Sequence, residues 1–354
     1  MKYFSLFTGV GGFELGIEKV DESAECVGFS EIDKYASQVL KYKFPNVKNY
    51  GDITKINWSK VPDFDLLVGG SPCQDFSIAG KRAGISGERS GLVWEFIRCL
   101  EEKKPQYFIW ENVKGVMSSR KGLDFGSILT AFSESGYSLW WQVLNAKDFG
   151  VPQNRERIFV VGFRDRCPRE VFFERGDGAE ITSPPPVRKQ SSNTIRTNYS
   201  NGRSNETYVL KEITQNQSQG YRVYDPKGIA TNQASQAGGV GAKTGLYAIP
   251  VLTPDRLVKR QNGRRMKTDG EPSFTINTQD RHGIFNGSRI RRLTPTECER
   301  LMSWPDGHTK YGINEKGEKV EISDTQRYRQ CGNGVVSEVV AAIVKELLLP
   351  PPKR

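Results

Sequence analysis

The chain has 354 residues, 36% of them apolar, and a formal net charge of +10, enough for one large domain or two around a sizeable core. It has no run of eighteen apolar residues and no signal-peptide pattern near Met1, so neither a membrane span nor secretion is expected. Its six cysteines make no CxxC and its two histidines cannot build a multi-histidine centre, so the expectation is a soluble, cytoplasmic, bacterial-type protein without a bound metal.

The first half alternates short apolar runs with helical spacing. Strands are predicted at residues 3–7, 26–30, 64–68, 107–110, 139–144 and 157–163. Helices are predicted at 13–20, 35–44, 91–100 and 128–135, and a further strand just before Asp52. This alternation predicts an open, mostly parallel α/β sheet whose ligands bind beyond the carboxyl ends of the strands. The pattern breaks at Ser183-Pro184-Pro185-Pro186, which reads as a linker, and residues 190–240 are polar with few apolar runs. Regular structure resumes at Thr294-Pro295-Thr296-Glu297, a capping box with proline at the first helical position. An apolar stripe from Val335 to Leu348 predicts a final helix that must pack on the α/β body.

The charge is uneven. Residues 1–163 hold 20 basic and 20 acidic side chains, and residues 293–354 hold 9 of each. Residues 164–292 hold 22 basic and 12 acidic ones, the whole excess. A neutral body with one cationic segment suits a polyanion binder, and equally a solvated charged insertion. The pairs Arg188-Lys189, Lys259-Arg260, Arg264-Arg265 and Arg291-Arg292 favour phosphate contacts.

Several short motifs fall at the ligand end of the predicted sheet. Phe7-Thr8-Gly9-Val10-Gly11-Gly12-Phe13 joins the first strand to the first helix. Alone it is a weak signal, but Glu31 lies just past the second strand, where a carboxylate can take both hydroxyls of a ribose. The glycine spacing fits neither a dinucleotide fingerprint nor a P-loop, so an adenosyl ligand without a pyrophosphate fits better. Pro72-Cys73-Gln74 follows the strand at 64–68, Glu111-Asn112-Val113 follows the strand at 107–110, and Gln153-Asn154-Arg155-Glu156-Arg157 precedes the last strand. Taken singly, these are a buried thiol, a surface acid and a salt-bridged strand start. Together a cysteine, an acid and paired arginines at one sheet rim make a convergent site.

The order of these motifs, followed by a basic segment, Arg291-Arg292-Leu293-Thr294-Pro295-Thr296-Glu297-Cys298 and Gly332-Asn333-Gly334-Val335, resembles the DNA (cytosine-5-)-methyltransferases of bacterial restriction–modification systems and phages. The resemblance covers nearly the whole chain outside about 165–290. It implies a Rossmann-like class I methyltransferase domain (residues 1–170 with 325–354), a smaller irregular target-recognition domain (171–290) and a connecting region (291–324).

The resemblance also implies roles. The methyl donor would be S-adenosylmethionine, with no metal. Cys73 would attack C6 of a flipped-out cytosine, Glu111 would bond or protonate N3, Arg157 would hold and polarise the base, and Arg155 would support the loop and DNA contacts. Phe7, Gly9, Gly11, Gly12, Glu31, Ile32, Asp52, Ile53, Pro72, Leu92 and Asn333 would line the cofactor pocket. Asn333 would reach it only if the final helix packs on the first strand. Gln74 and Ser77 would belong to a loop closing over DNA, and Thr231, Asn232, Gln233 and Gln236 are candidates for base contact; the Thr–aliphatic pair common in the family's recognition region is absent at Thr231-Asn232 and is matched by Thr275-Ile276 further on. Double-stranded DNA is the expected partner of a monomeric enzyme, with a restriction endonuclease acting separately. The competing readings are an RNA cytosine methyltransferase, a DNA binder without catalysis, and a nicotinamide oxidoreductase.

Overall fold

A computed structural model describes residues 1–72, 91–164, 223–224, 246–247, 249–252, 264, 266–267, 271–278, 280–285 and 290–348. The proline linker and Thr231, Asn232, Gln233 and Gln236 lie outside the described residues, as do Cys73, Gln74 and Ser77.

Six strands form one sheet: β1 (Lys2–Leu6), β2 (Glu25–Ser30), β3 (Leu66–Gly69), β4 (Tyr107–Val113), β5 (Ser138–Asn145) and β6 (Glu156–Phe163). Their spatial order is β2-β1-β3-β4-β6-β5. The first four pair in parallel, and β6 pairs antiparallel with both β4 and β5. Five strands thus run one way and β6 alone runs against them. The stretch before Asp52 is not a strand; its strand-type pairing with the sheet is one isolated bridge, Phe29 to Asn49. Glycine at 51, with φ +72, turns the chain away before further pairing.

Side chains alternate across each strand and separate two cores. Tyr3, Leu66, Val68, Ile109, Phe159 and Val161 face one layer; Phe4, Leu67, Phe108, Trp110, Ile158 and Val160 face the other. The first layer is covered by α1 (Gly12–Glu18), α2 (Lys34–Lys43) and the C-terminal helices, the second by α3 (Leu92–Lys103) and α4 (Leu123–Glu134). Asp33 caps α2 by accepting from the Tyr35 and Ala36 N–H groups at 3.0 Å, and Lys41 and Lys43 sit in its negative last turn.

Beyond β6, β7 (Val223–Tyr224) and β8 (Leu246–Tyr247) pair in parallel. A small antiparallel sheet follows, made of β9 (Ile249–Leu252), β10 (His282–Phe285) and β11 (Ile290–Arg292). The Thr294 capping box forms as expected and opens α5 (Pro295–Leu301). A hairpin of β12 (Tyr311–Ile313) and β13 (Lys319–Glu321) packs on α2, then α6 (Asp324–Asn333) and α7 (Ser337–Leu348) complete the chain.

The final helix returns to the first domain, chiefly onto α1, and shares a core with Tyr3 of β1. A Cβ at Gly16 would lie 2.6 Å from the Val340 Cβ, so the two helices meet at backbone distance. The arginine pair at β11 also departs from expectation. Arg291 grips Glu297 with two hydrogen bonds of 2.7 and 2.9 Å, and Arg292 covers the Tyr328 ring at 3.7 Å. Both cations serve the join between β11 and the helices after it, because a carboxylate and a ring within the fold meet them first.

Candidate active site

The glycine loop turns sharply out of β1. Phe7 has φ +52, Gly9 φ +61 and Gly11 φ +93, left-handed values that favour glycine at the latter two. Glycine at 12 answers a different need: a Cβ there would lie 2.8 Å from the Val335 carbonyl oxygen. The loop is thereby seated against the chain just after Asn333, an exposed residue at the end of α6. That seating brings Asn333 towards the loop.

Glu31 crosses from the end of β2 to this loop. Its Oε2 accepts from the Gly9 N–H and its Oε1 from the Asp33 N–H, both at 2.7 Å. Burial pushes its pKa up, while the two N–H donors oppose that shift. Next to it Ile32 is 74% exposed, an apolar face without cover. A Cβ at Gly9 would meet nothing within 4 Å, so the space beside the loop is open. Asp52 caps a short turn, accepting from the Thr54 N–H at 3.0 Å and pairing with Lys55 at 3.4 Å, and Ile53 is buried behind it. Pro72 is exposed beyond β3 and Leu92 opens α3. An open cradle, a carboxylate and an uncovered aliphatic side chain fit a ligand with an adenine and a ribose.

The second half of the site is built at the ends of β3, β4 and β6. Because β6 is reversed, its first residues share the sheet edge with the last residues of β3 and β4. Arg157 stands opposite Val113 and diagonal to Glu111 on the same face. Its Nε lies 3.0 Å from Glu111 Oε1. Burial raises the Glu111 pKa, and Arg157 and then Arg155 pull against that rise. Glycine at 70 makes room for the carboxylate, since a Cβ there would sit 2.7 Å from Glu111 Oε2. On the opposite face of β4, Trp110 Nε1 donates to Ser71 Oγ and Asn112 Nδ2 to the Ser71 carbonyl, both at 3.1 Å. These bonds anchor the chain immediately before Pro72 and Cys73. The arrangement offers a carboxyl group with a strengthened hold on its proton beside a fixed cation.

Arg155 is placed differently from an arginine at a DNA surface. It is 2% exposed, and its guanidinium donates to the carbonyls of Ile276 at 2.7 Å, Gly332 at 3.1 Å and Gly334 at 2.6 Å. Burial, with Arg157 nearby, lowers its pKa, and Glu111 opposes this. In the Thr275-Ile276 dipeptide the aliphatic residue is turned inward and the threonine is half-exposed. Ile276 is buried, its N–H donating to Gln153 Oε1 at 3.1 Å, and Thr275 Oγ1 donates to the Asn154 carbonyl.

Two supporting residues were not marked by the sequence. His308 is buried with Nε2 2.6 Å from the Val10 carbonyl oxygen, and burial lowers its pKa to about 4. The ring is therefore neutral near pH 7 and donates to the loop from Nε2. Trp304 packs beneath Gly334, and its Nε1 donates to the Val335 carbonyl at 3.2 Å. Both act across the fold on main-chain carbonyls, which carry no sequence signal.

Residues 1–349 match the family described as C-5 cytosine-specific DNA methylase. The chain belongs to that family. It is 34% identical to the orphan methyltransferase M.SPRI of Bacillus phage SPR, over 98% of this chain and 97% of the relative. It is 32% identical to the type II methyltransferase M.HhaI of Haemophilus parahaemolyticus, over 97% and 93% of the two chains. Its fold is similar to that of a putative DNA modification methyltransferase from an E. coli prophage, with TM-score 0.60, 18% identity and 98% of each chain covered. It is also similar to the S. pombe Dnmt2 methyltransferase, with TM-score 0.56, 17% identity and 98% of each chain covered.

As a C-5 cytosine-specific DNA methylase the protein is a DNA (cytosine-5-)-methyltransferase, and the family implies S-adenosylmethionine as methyl donor and DNA as substrate. Among the described residues no helix is long and apolar enough to cross a membrane.

Proposed function

We propose that the protein methylates C5 of a flipped-out cytosine in a fixed short sequence of double-stranded DNA, through a covalent adduct between Cys73 and C6. Cytosine C5 is a poor nucleophile, and adding a thiolate to C6 turns it into an enamine carbon that can attack. The base must leave the stack because C5 and C6 are shielded in a duplex. S-adenosylmethionine supplies an electrophilic methyl group on a sulfonium.

Glu111 gives a proton or a strong hydrogen bond to N3 as the Cys73 sulfur adds at C6. Its raised pKa keeps more of the acid form available than an exposed glutamate would have. Arg157, held on the Glu111 carboxylate, orients it and meets the polar edge of the base. C5 would then take the methyl group, leaving the thioether S-adenosylhomocysteine; water takes the C5 proton, N3 returns its proton to Glu111, and the C6–sulfur bond breaks to return the thiolate. In the cofactor cradle, Glu31 would bind the ribose hydroxyls, and Ile32 and Phe7 would lie against the adenine. Gly9, Gly11 and Gly12 give close backbone approach to the methionine part; Asp52, Ile53, Pro72, Leu92 and Asn333 complete the pocket.

The cationic segment at 171–290 is proposed as the target-recognition domain, with Gln74 and Ser77 closing over the DNA from the catalytic side. Thr231, Asn232, Gln233 and Gln236 are the proposed base-reading residues. The methyl mark is proposed to protect its site from a restriction endonuclease acting separately, in the cytoplasm.

The observation that carries this reading is the Arg157–Glu111 pair packed against Gly70, three residues before Cys73. The test is incubation of the purified chain with methyl-labelled S-adenosylmethionine and, in parallel, unmethylated duplex DNA or transfer RNA, followed by sequencing. Label at cytosine C5 in one short motif is the expected result. Label on transfer RNA alone would move the reading to an RNA methyltransferase. A Cys73→Ser variant should bind DNA without turnover; retained turnover would overturn the covalent route.

A further inference from the structure

Arg155 lies between two parts of the chain that the proposed function assigns to different ligands. Its Nη1 holds the carbonyl of Ile276, at the return of the segment proposed to read DNA. Its Nη2 holds the carbonyls of Gly332 and Gly334, on either side of Asn333 in the proposed cofactor pocket. The Ile276 peptide is gripped at both ends, because its N–H donates to Gln153 Oε1 while Gln153 Nε2 donates to the Leu301 carbonyl at 2.7 Å. Residues Pro152 and Asn154 extend the same clasp: the Ser273 N–H donates to the Pro152 carbonyl at 3.0 Å and the Asn154 N–H to the Ser273 carbonyl at 2.9 Å.

The two held segments also touch each other directly. A Cβ at Gly332 would lie 2.7 Å from the carbonyl carbon of Asn277 and 2.8 Å from the Thr278 nitrogen. A guanidinium is planar and rigid, with its donors in a fixed fork. A shift of the Ile276 carbonyl therefore changes the geometry available to Gly332 and Gly334. Arg155 Nε finds no hydrogen-bond partner among the described residues, so the hold on the two segments rests on the Nη1 and Nη2 bonds.

We propose that Arg155 is a positioning residue that couples the DNA-recognition segment to the cofactor pocket, so that each ligand tightens binding of the other. The proposal rests on the reading that residues 171–290 meet DNA and that Asn333 borders the cofactor. Coupling of this kind is reciprocal: DNA strengthens cofactor binding by the same factor that cofactor strengthens DNA binding. Arg155 touches neither ligand in this account, and its effect passes through the carbonyls it holds.

The test uses the full chain, S-adenosylhomocysteine as the cofactor probe, and a duplex carrying the methylated motif found by sequencing. The dissociation constant of S-adenosylhomocysteine is measured with and without duplex, for the wild type and for Arg155→Lys. The wild type should bind the probe roughly 5-fold or more tighter with duplex present. Arg155→Lys should still bind each ligand alone, with that ratio near one. A general loss of stability would weaken both affinities and leave the ratio unchanged. An Arg155→Lys variant with the wild-type ratio overturns the proposal, as does a wild-type ratio of one.

Hydrogen exchange on the wild type covers the case in which the variant does not fold. The probe alone should slow exchange in peptides spanning 271–278, and duplex alone should slow it in peptides spanning 330–336. Protection confined to each ligand's own segment overturns the coupling. A wild type that binds neither ligand overturns the methyltransferase reading, and the coupling with it.

Discussion

Gly70 and Glu111 share one volume: the space where a Gly70 Cβ would stand is closed by Glu111 Oε2 at 2.7 Å. The carboxylate is held there by Arg157, so it cannot swing away without losing that bond. Gly70→Ala should displace the carboxyl by a fraction of an ångström and leave the core untouched. The expected outcome is a fall in kcat of about 10- to 100-fold, in keeping with the sensitivity of catalysis to small misplacements, with the melting temperature nearly unchanged. A variant with wild-type kcat would show that the Glu111 position is not critical.

Glu111 itself should set a pH limb of the reaction. Its pKa is raised by burial, and the proposed step uses its acid form. The rate that depends on that form falls as pH rises through the group's pKa. Glu111→Gln should remove this limb and lower kcat/KM by about 100- to 10,000-fold, the usual range for a general acid. A pH–rate profile of both proteins checks it; an unchanged limb in the variant would assign the titration elsewhere.

Glu14 places a proton-dependent cost under the glycine loop. It is fully buried, and burial raises its pKa from 4.5 to about 7 against the opposing pull of the Ser5 hydroxyl. The folded state therefore holds the proton more tightly than the unfolded chain. Stability is highest below pH 4.5 as far as this group is concerned, and is lost as pH rises to about 7. The total is on the order of 3 kcal/mol. Urea unfolding at pH 5 and pH 8 should show this slope in the wild type and a flatter one in Glu14→Gln. Equal slopes would mean that Glu14 does not hold its proton.

Gly16 is where two helices pass at backbone distance. Its added Cβ would lie 2.6 Å from Val340 Cβ and 2.8 Å from the Ser337 carbonyl oxygen. Alanine is the better helix former by about 1 kcal/mol, so propensity alone predicts a gain. Overpacking costs about 1–3 kcal/mol and should win, because one of the atoms met is main chain. Thermal unfolding of Gly16→Ala should show a net loss, part of it recovered by adding Val340→Ala. Stabilisation by the single change would contradict the close approach of α1 and α7.

His308 should support cofactor binding without making it pH-dependent. Its pKa of about 4 keeps it neutral across pH 6–8, donating to the Val10 carbonyl. His308→Ala should loosen the glycine loop and weaken S-adenosylhomocysteine binding about tenfold, as expected for loss of a buried hydrogen bond worth about 1–1.5 kcal/mol. Calorimetry at pH 6 and pH 8 checks both parts; a wild-type affinity that changes with His308 protonation in this range would refute the second.

Much of the fold was legible because its signals are local. The alternation of apolar runs and helical spacing located all six strands of the main sheet, and the Thr294 capping box located a helix start. The run before Asp52 looked like a strand because its residues suit one, yet it makes one bridge and turns away at Gly51. The arginines misled for a related reason. Arg155 and Arg291 look alike in sequence to arginines that meet phosphate, but each found an internal acceptor, three carbonyls in one case and Glu297 in the other.

The sequence by itself determined which chemistry is available: the order of the glycine loop, Cys73, Glu111 and the two arginines is enough to indicate a cytosine C5 methyltransferase. Tertiary structure alone decided how those residues are shared out. Reversal of β6 brings the start of that strand, not its end, to the edge where Glu111 stands. It turns Arg157 to Glu111 and leaves Arg155 bound to carbonyls 121 to 179 residues away. The physical reason is that every residue carries a main-chain carbonyl. A sequence marks the donor that needs an acceptor, and only the folded path decides which carbonyl it meets.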